Sequence, residues 1–303
     1  MSSSIAATGV ILPRLDAPVR RIGGREFDFA REVAVMAVIN RTPDSFYDRG
    51  ATFALDAAVA AARRAVTDGA DWVDIGGAKF APGPAIPVAE EIDRVVPVVE
   101  ALQDAGVVIS VDTFDPDVAR AGIRAGAHVI NDTTGVHDPR MAEVVADSDA
   151  TLVITHSLAR PRTPYPAPQY DDVVGEVAAF LLERVERAVA HGMPADRLVV
   201  DPGHDLNKNT LHSLEITRRL EEVVAIGLPT LVAVSRKDFV GETLDAAKQD
   251  RLEGSLAAAV VCVMKGARIV RMHDVRASVA AMRMTEALLG LREPAYLRHN
   301  MGE

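Results

Sequence analysis

The chain has a single cysteine, Cys262, set in the apolar run 257–264, so an internal disulfide is excluded and a reducing, cytoplasmic setting is expected. No segment approaches the ~18 uninterrupted apolar residues that a membrane span requires. Residues 1–30 lack a charged stretch followed by a long apolar one, so no signal peptide is expected. Acidic residues outnumber basic ones, 43 to 33, for a net charge of -10, and no basic stripe is present, which argues against a nucleic-acid partner. There is no GxGxxG after the first apolar run and no GxxxxGK[ST], which removes the usual dinucleotide and P-loop signatures. HExxH and CxxC are also missing and the eight histidines are scattered, so a structural metal site is not expected.

What is present is a regular alternation. Eight apolar runs, at 33–40, 72–77, 107–113, 127–133, 151–156, 198–203, 230–236 and 268–274, each end on polar residues. Helical patterns follow them at 55–68, 88–104, 116–125, 139–146, 171–191, 210–224, 251–265 and 278–289. Parallel strands covered on both faces read as continuous Val/Ile/Leu runs. Eight strand–helix units in 303 residues predict a single-domain α/β protein, a (β/α)8 TIM barrel over residues 32–303. Residues 1–31, without clear periodicity, are expected to form a loose N-terminal arm. Gly69, Gly106, Gly126 and Gly266 fall just after helical stretches, where a left-handed residue closes a helix.

In such a barrel the residues just past the strands converge on one face, so the polar stops predict one shared site. Asp112, Asp132 and Asp201 follow strands three, four and six. Any one of them alone reads as a cap or turn residue. Several acids and amides on one rim instead suit a heterocycle with adjacent ring N–H and amino donors. Ser235-Arg236-Lys237 ends the seventh strand and Arg271-Met272-His273 the eighth, where barrels often bind phosphate. Arg236 alone is expected to be a salt-bridge partner of an acid. Arg271 with His273 is expected to form an anion site, with Asn40 completing it or holding a phosphate-bound Mg2+ through its carbonyl.

The motifs Asn40-Arg41-Thr42-Pro43-Asp44-Ser45-Phe46, Asp74-Ile75-Gly76-Gly77, Ser110-Val111-Asp112-Thr113, Ile130-Asn131-Asp132, Asp201-Pro202-Gly203, Ser235-Arg236-Lys237 and Arg271-Met272-His273-Asp274 resemble, in the same order, the dihydropteroate synthase family. The resemblance runs from about residue 33 to 289. It implies a TIM barrel, a homodimer, and condensation of p-aminobenzoate with 6-hydroxymethyl-7,8-dihydropterin diphosphate. It further implies that Asp112, Asn131, Asp201 and Lys237 hold the pterin, with Asp112, Asp201 and Lys237 as the catalytic candidates. Asn40, Arg271 and His273 would hold the diphosphate, with Mg2+ at Asn40. The family's reaction is dissociative: diphosphate leaves first, and the amine attacks the resulting pterin cation.

The departures from the family pattern cluster in the p-aminobenzoate half. The usual Glu-Ser-Thr-Arg-Pro-Gly after Gly76-Gly77 is here Ala78-Lys79-Phe80-Ala81-Pro82-Gly83. After Asp201-Pro202-Gly203 stands His204-Asp205-Leu206-Asn207, with Leu206 as the remnant of an aromatic wall and Asp205 and Asn207 in place of two flexible glycines. The hydroxyl residue that normally receives the p-aminobenzoate carboxylate is Asp238, and the Met expected before His156 is Thr155. Two carboxylates about 4 Å apart repel by roughly 4 kcal/mol at an effective dielectric near 20. The expectation is therefore a paralogue with weak or absent synthase activity. A competent synthase with divergent loops and a non-catalytic pterin-binding or regulatory protein are the alternatives. A methyltetrahydrofolate-methyltransferase-like barrel is disfavoured because its ligand would not need Arg271 and His273.

Overall fold

Gly23 and Gly24 stand between two four-residue segments of alternating burial and both take positive φ, 57° and 78°. Two such residues make the tight turn whose twist matches a hairpin. Accordingly β1 (Val19–Ile22) pairs antiparallel with β2 (Arg25–Asp28), Ile22 opposite Arg25. The expectation of a loose arm thus misses a hairpin, whose signal is only two residues of glycine and four-residue strands. The hairpin closes the floor of the barrel. Ile22, Phe27 and Phe29 are buried against Met36 and Trp72, with Phe27 edge-on to Trp72 at 6.0 Å and stacked on Phe29 at 5.7 Å.

The computed structural model describes residues 12–40, 55–78, 80–159, 162–165 and 167–300. Arg41 to Phe46 and Lys79 lie outside the described residues. After the hairpin come β3 (Ala34–Asn40), α1 (Leu55–Thr67), β4 (Trp72–Gly76), α2 (Val88–Glu100), β5 (Val108–Asp112), α3 (Pro116–Arg124), β6 (Val129–Asp132) and α4 (Arg140–Ala146). They continue as β7 (Thr151–Thr155), α5 (Val173–Ala190), β8 (Leu198–Asp201), α6 (Thr210–Arg218), α7 (Leu220–Val224), β9 (Leu231–Val232), α8 (Asp238–Leu244), α9 (Leu252–Met264), β10 (Ile269–Met272) and α10 (Val275–Leu288).

Among the described residues, eight parallel strands run in the order β8-β7-β6-β5-β4-β3-β10-β9, and a bridge between Val200 and Thr230 brings the two ends together. The TIM barrel is as expected. Two details differ. The stretch expected as one helix over 210–224 breaks at Arg219 into α6 and α7, and the seventh strand is only two residues long, with Arg236 at φ 55° and α8 beginning at Asp238.

Side-chain parity organises the interior. Successive strand residues point to opposite faces. Val35, Val73, Ile109, Ile130, Leu152, Val200, Val232 and Val270 face the helices, while Ala34, Met36, Trp72, Val108, Val129, Val153, Val199, Leu231 and Ile269 fill the lower barrel above the hairpin. The inward positions two and four residues further on cannot meet more core. Most of them are polar residues of the rim, with Val38, Gly76, Gly203 and Ala233 as exceptions.

Candidate active site

The inward parity brings Asn40, Asp112, Asn131, Thr155, Asp201, Ser235, Arg271 and His273 to one cavity of about 410 Å3 at the C-terminal ends of the strands. Phe80, Ala81, Leu206, Lys237 and Asp238 line it too, whereas Asp132 and Asn207 do not; Lys79 is outside the described residues. The acceptors Asp112, Asn131, Thr155 and Asp201 stand on neighbouring strands β5 to β8, while Lys237 comes from the start of α8 after β9 and Arg271 from β10.

Its hub is Asp74, a residue that the motif reading quotes without assigning a task. Fully buried, it accepts from Ser110 Oγ at 2.6 Å, from Asn131 Nδ2 at 3.1 Å and from Arg271 Nε at 2.6 Å. Arg271 Nη2 also donates to Asp112 at 2.9 Å. The guanidinium is thus fixed by two carboxylates from β4 and β5 before any ligand arrives. Asn131, oriented by Asp74, keeps its buried Oδ1 without a protein partner. A buried polar atom without a partner at a cavity is where a ligand or water is expected.

Burial pushes the Asp112 carboxyl up to about 7, against the attraction of Arg271. Asp201 is raised to about 6, again by burial, although the Gly203 N–H donates to it at 2.7 Å and Lys237 attracts it. Burial lowers Lys237 from the usual lysine range, with Asp205 opposing. His273 is depressed to about 3 by burial and then by Arg271 and Arg236, so its ring is neutral at physiological pH. Its Nδ1 lies 3.0 Å from Ser235 Oγ, which already accepts the His273 N–H at 3.1 Å. Where the Ser235 hydroxyl donates to Nδ1, Nε2 carries the ring proton and faces the cavity as a donor.

Outward parity gives other polar residues structural tasks. Asp132 accepts from Thr134 N at 2.8 Å, Thr134 Oγ1 at 2.6 Å and Val136 N at 2.9 Å, which is a turn cap. Arg236, as expected for that residue alone, forms a two-pronged ion pair with Asp274 at 2.9 and 2.7 Å. His156, though it ends a strand, is buried and held by Lys208 Nζ at 2.8 Å.

The second half of the cavity is pinned rather than loose. Asp205 and Asn207 hold φ of 62° and 51°, the left-handed region that glycine adopts without penalty. Both side chains then act as clamps. Asn207 Oδ1 accepts from Ser157 Oγ, Leu158 N and Ala159 N, each at 2.9 Å. Lys208 Nζ donates to the carbonyls of Gly203 and Leu206, both at 2.9 Å, and burial lowers its ammonium to about 7. Gly203, at φ 67°, has no room for a side chain, since a Cβ would sit 2.2 Å from the His156 carbonyl oxygen. Asp238 alters the charge argument made from sequence. Its side chain is 85% exposed and pairs with Arg251 at 2.8 Å, so solvent and that guanidinium screen its charge in part.

Sequence reasoning did not assign Asp74, Ser110, Arg251 or the Lys208–His156 pair. For Asp74 and Ser110 the available signal was parity: each stands two residues before an inward rim position. Arg251 and Lys208 lie in loops with no period to read.

A model of the family described as pterin binding enzyme matches residues 36–273. The chain is 46% identical over 271 residues to a protein named inactive dihydropteroate synthase 2 from Mycobacterium leprae, covering 86% of this chain and 92% of that one. It is 41% identical over 261 residues to dihydropteroate synthase of Escherichia coli K12, with 86% and 93% covered. The crystal structure of Yersinia pestis dihydropteroate synthase in a sulfonamide drug complex superposes with a TM-score of 0.85 at 38% identity, covering 90% of this chain and all of that one. With this barrel, this rim and relatives of both names, the chain belongs to the dihydropteroate synthase family of pterin-binding enzymes, as a divergent paralogue.

Proposed function

We propose that the cavity binds 6-hydroxymethyl-7,8-dihydropterin diphosphate and that condensation with p-aminobenzoate is weak or absent. The observation that carries the first part is the rim, where acceptors on β5 to β8 share one cavity with Lys237, just past β9, and Arg271 on β10. Asp112, Asn131 Oδ1 and Asp201 accept from the ring N–H and amino groups, and Lys237 donates to the ring's acceptor atoms. Arg271 and the Nε2–H of His273 hold the diphosphate. When the methylene C–O bond breaks, the electron pair leaves with pyrophosphate, and the carboxylates of Asp112 and Asp201 stabilise the remaining pterin cation. In a competent family member an aromatic amine nitrogen then attacks that carbon and loses a proton.

Among the described residues no group of three or more His, Cys, Asp or Glu could hold a metal by itself. A Mg2+ bound chiefly through diphosphate oxygens and water needs only one protein oxygen, and Asn40, at the end of β3 in the cavity, fits that task. When bound, the ion would neutralise charge on the leaving diphosphate. The second part of the proposal is supported by the altered loops and by the similarity to a relative named inactive. A homodimer is part of the same reading. Val261 and Met264 on α9 and Met284 and Leu288 on α10 are exposed apolar side chains that a second copy would cover, which light scattering on a sizing column tests. No helix of the described residues is long and apolar enough to cross a membrane.

Titration calorimetry tests the ligand assignment. The pterin diphosphate is expected to bind with Mg2+ and to weaken at least tenfold without it or without the diphosphate. Equal affinity for the diphosphate-free pterin, indifferent to Mg2+, would contradict the assignment.

A further inference from the structure

The loop between β8 and α6 places a carboxylate where donors converge. Asp205 Oδ2 accepts from the backbone N–H of Asp238 at 2.6 Å and of Phe239 at 3.3 Å. Its Oδ1 accepts from Ser213 Oγ at 2.9 Å. Asp205 lines the cavity beside Leu206 and Asp238. It also exerts the largest attraction on the Lys237 ammonium. Two backbone N–H groups, one hydroxyl and part of one ammonium are the means by which a protein recognises a carboxylate. Here all of them are already engaged by a carboxylate of the chain itself.

We propose that Asp205 is a specificity-determining residue: a built-in carboxylate that occupies the acid-recognition position of the cavity's second half. That half then disfavours an aromatic carboxylic acid and admits an uncharged or cationic amine. The inference rests on the reading of the cavity as a pterin-diphosphate site with room for a second substrate. Its physical content is twofold. An incoming carboxylate finds these donors already engaged, and it meets another carboxylate at the same place. Asp205 carries more of this effect than Asp238, whose side chain is 85% exposed and paired with Arg251.

The test compares 4-aminobenzoate with 4-aminobenzamide, its uncharged counterpart, on protein loaded with pterin diphosphate and Mg2+, by equilibrium dialysis. The wild-type protein is expected to bind the acid no more tightly than the amide. Asp205→Gly, which suits the left-handed backbone at this position and frees the donors, is expected to favour the acid by about tenfold or more. Asp205→Asn keeps an oxygen for both N–H groups and removes only the charge, so it is expected to raise the acid-to-amide ratio several-fold with the loop still in place. A wild-type protein that prefers the acid tenfold would overturn the proposal, and so would variants with an unchanged ratio. If instead wild-type protein fails to bind pterin diphosphate at all, the reading of the cavity falls first, and calorimetry before the dialysis separates the two results.

Discussion

Replacing Asp74 by Asn tests whether the site is organised from its hub. The carboxylate is fully buried and receives three donors, from Ser110, Asn131 and Arg271, at 2.6, 3.1 and 2.6 Å. An amide of the same shape offers one oxygen to these three donors and turns an NH2 toward at least one of them. The contact to Arg271 is charge-assisted, and a hydrogen bond to a charged group is worth about 1.5–3 kcal/mol. Removing one partner of a buried ion pair costs about 3–5 kcal/mol when nothing replaces it. Arg271 retains Asp112 at 2.9 Å, so the loss falls between these figures, at roughly 3 kcal/mol. Urea unfolding should show a lower midpoint at an unchanged slope. Because Asp74 also aims Arg271 and Asn131, affinity for pterin diphosphate should drop by at least tenfold. Arg218→Ala, which breaks a surface pair with Glu215 at 2.7 Å, provides the scale, with a loss of about 0–1 kcal/mol. A loss below about 1 kcal/mol for Asp74→Asn, with ligand affinity intact, would refute the assignment of Asp74 as the hub.

Three further outcomes are expected. Asp112 and Asp201 are raised to about 7 and 6, so both are increasingly protonated as pH falls and stop acting as acceptors. Pterin-diphosphate affinity should therefore be highest above pH 7 and decline through pH 6, with protons released on binding near pH 6.5 in calorimetry repeated across buffers; a flat profile would mean these carboxyls do not touch the ligand. Phe27→Ala empties a site beneath the barrel, where Phe27 is 2% exposed between Phe29 and Trp72, and should cost about 3–5 kcal/mol in unfolding experiments, whereas a dispensable hairpin would lose far less. Lys208→Met removes the donor to Gly203, Leu206 and His156, and hydrogen exchange over residues 203–208 should quicken while the rest of the barrel is unchanged.

The fold was legible because parallel barrel strands are apolar on both faces and each ends in a polar residue at the same end. Asp112, Asn131, Asp201, Arg271 and His273 were legible as one site for the same reason. What the period of the chain does not encode is contact between loops. Asp205 and Asn207 read as losses of flexibility, yet they adopt the glycine-like backbone and use their side chains to fasten the loop. Asp238 read as a bare charge in the site, and only the folded chain shows its carboxylate exposed and paired with Arg251. The hairpin at 19–28 escaped notice because four-residue strands carry too few residues for an alternation to stand out.

The central claim is a pterin-diphosphate site joined to a second half that no longer serves p-aminobenzoate. The measurement that tests it most directly is pyrophosphate release from dihydropterin diphosphate and Mg2+, with and without p-aminobenzoate. The diphosphate is expected to bind, with little or no p-aminobenzoate-dependent release. Release that depends on p-aminobenzoate, at turnover numbers of about 1 per second or above, would contradict it and make the chain a working synthase with divergent loops.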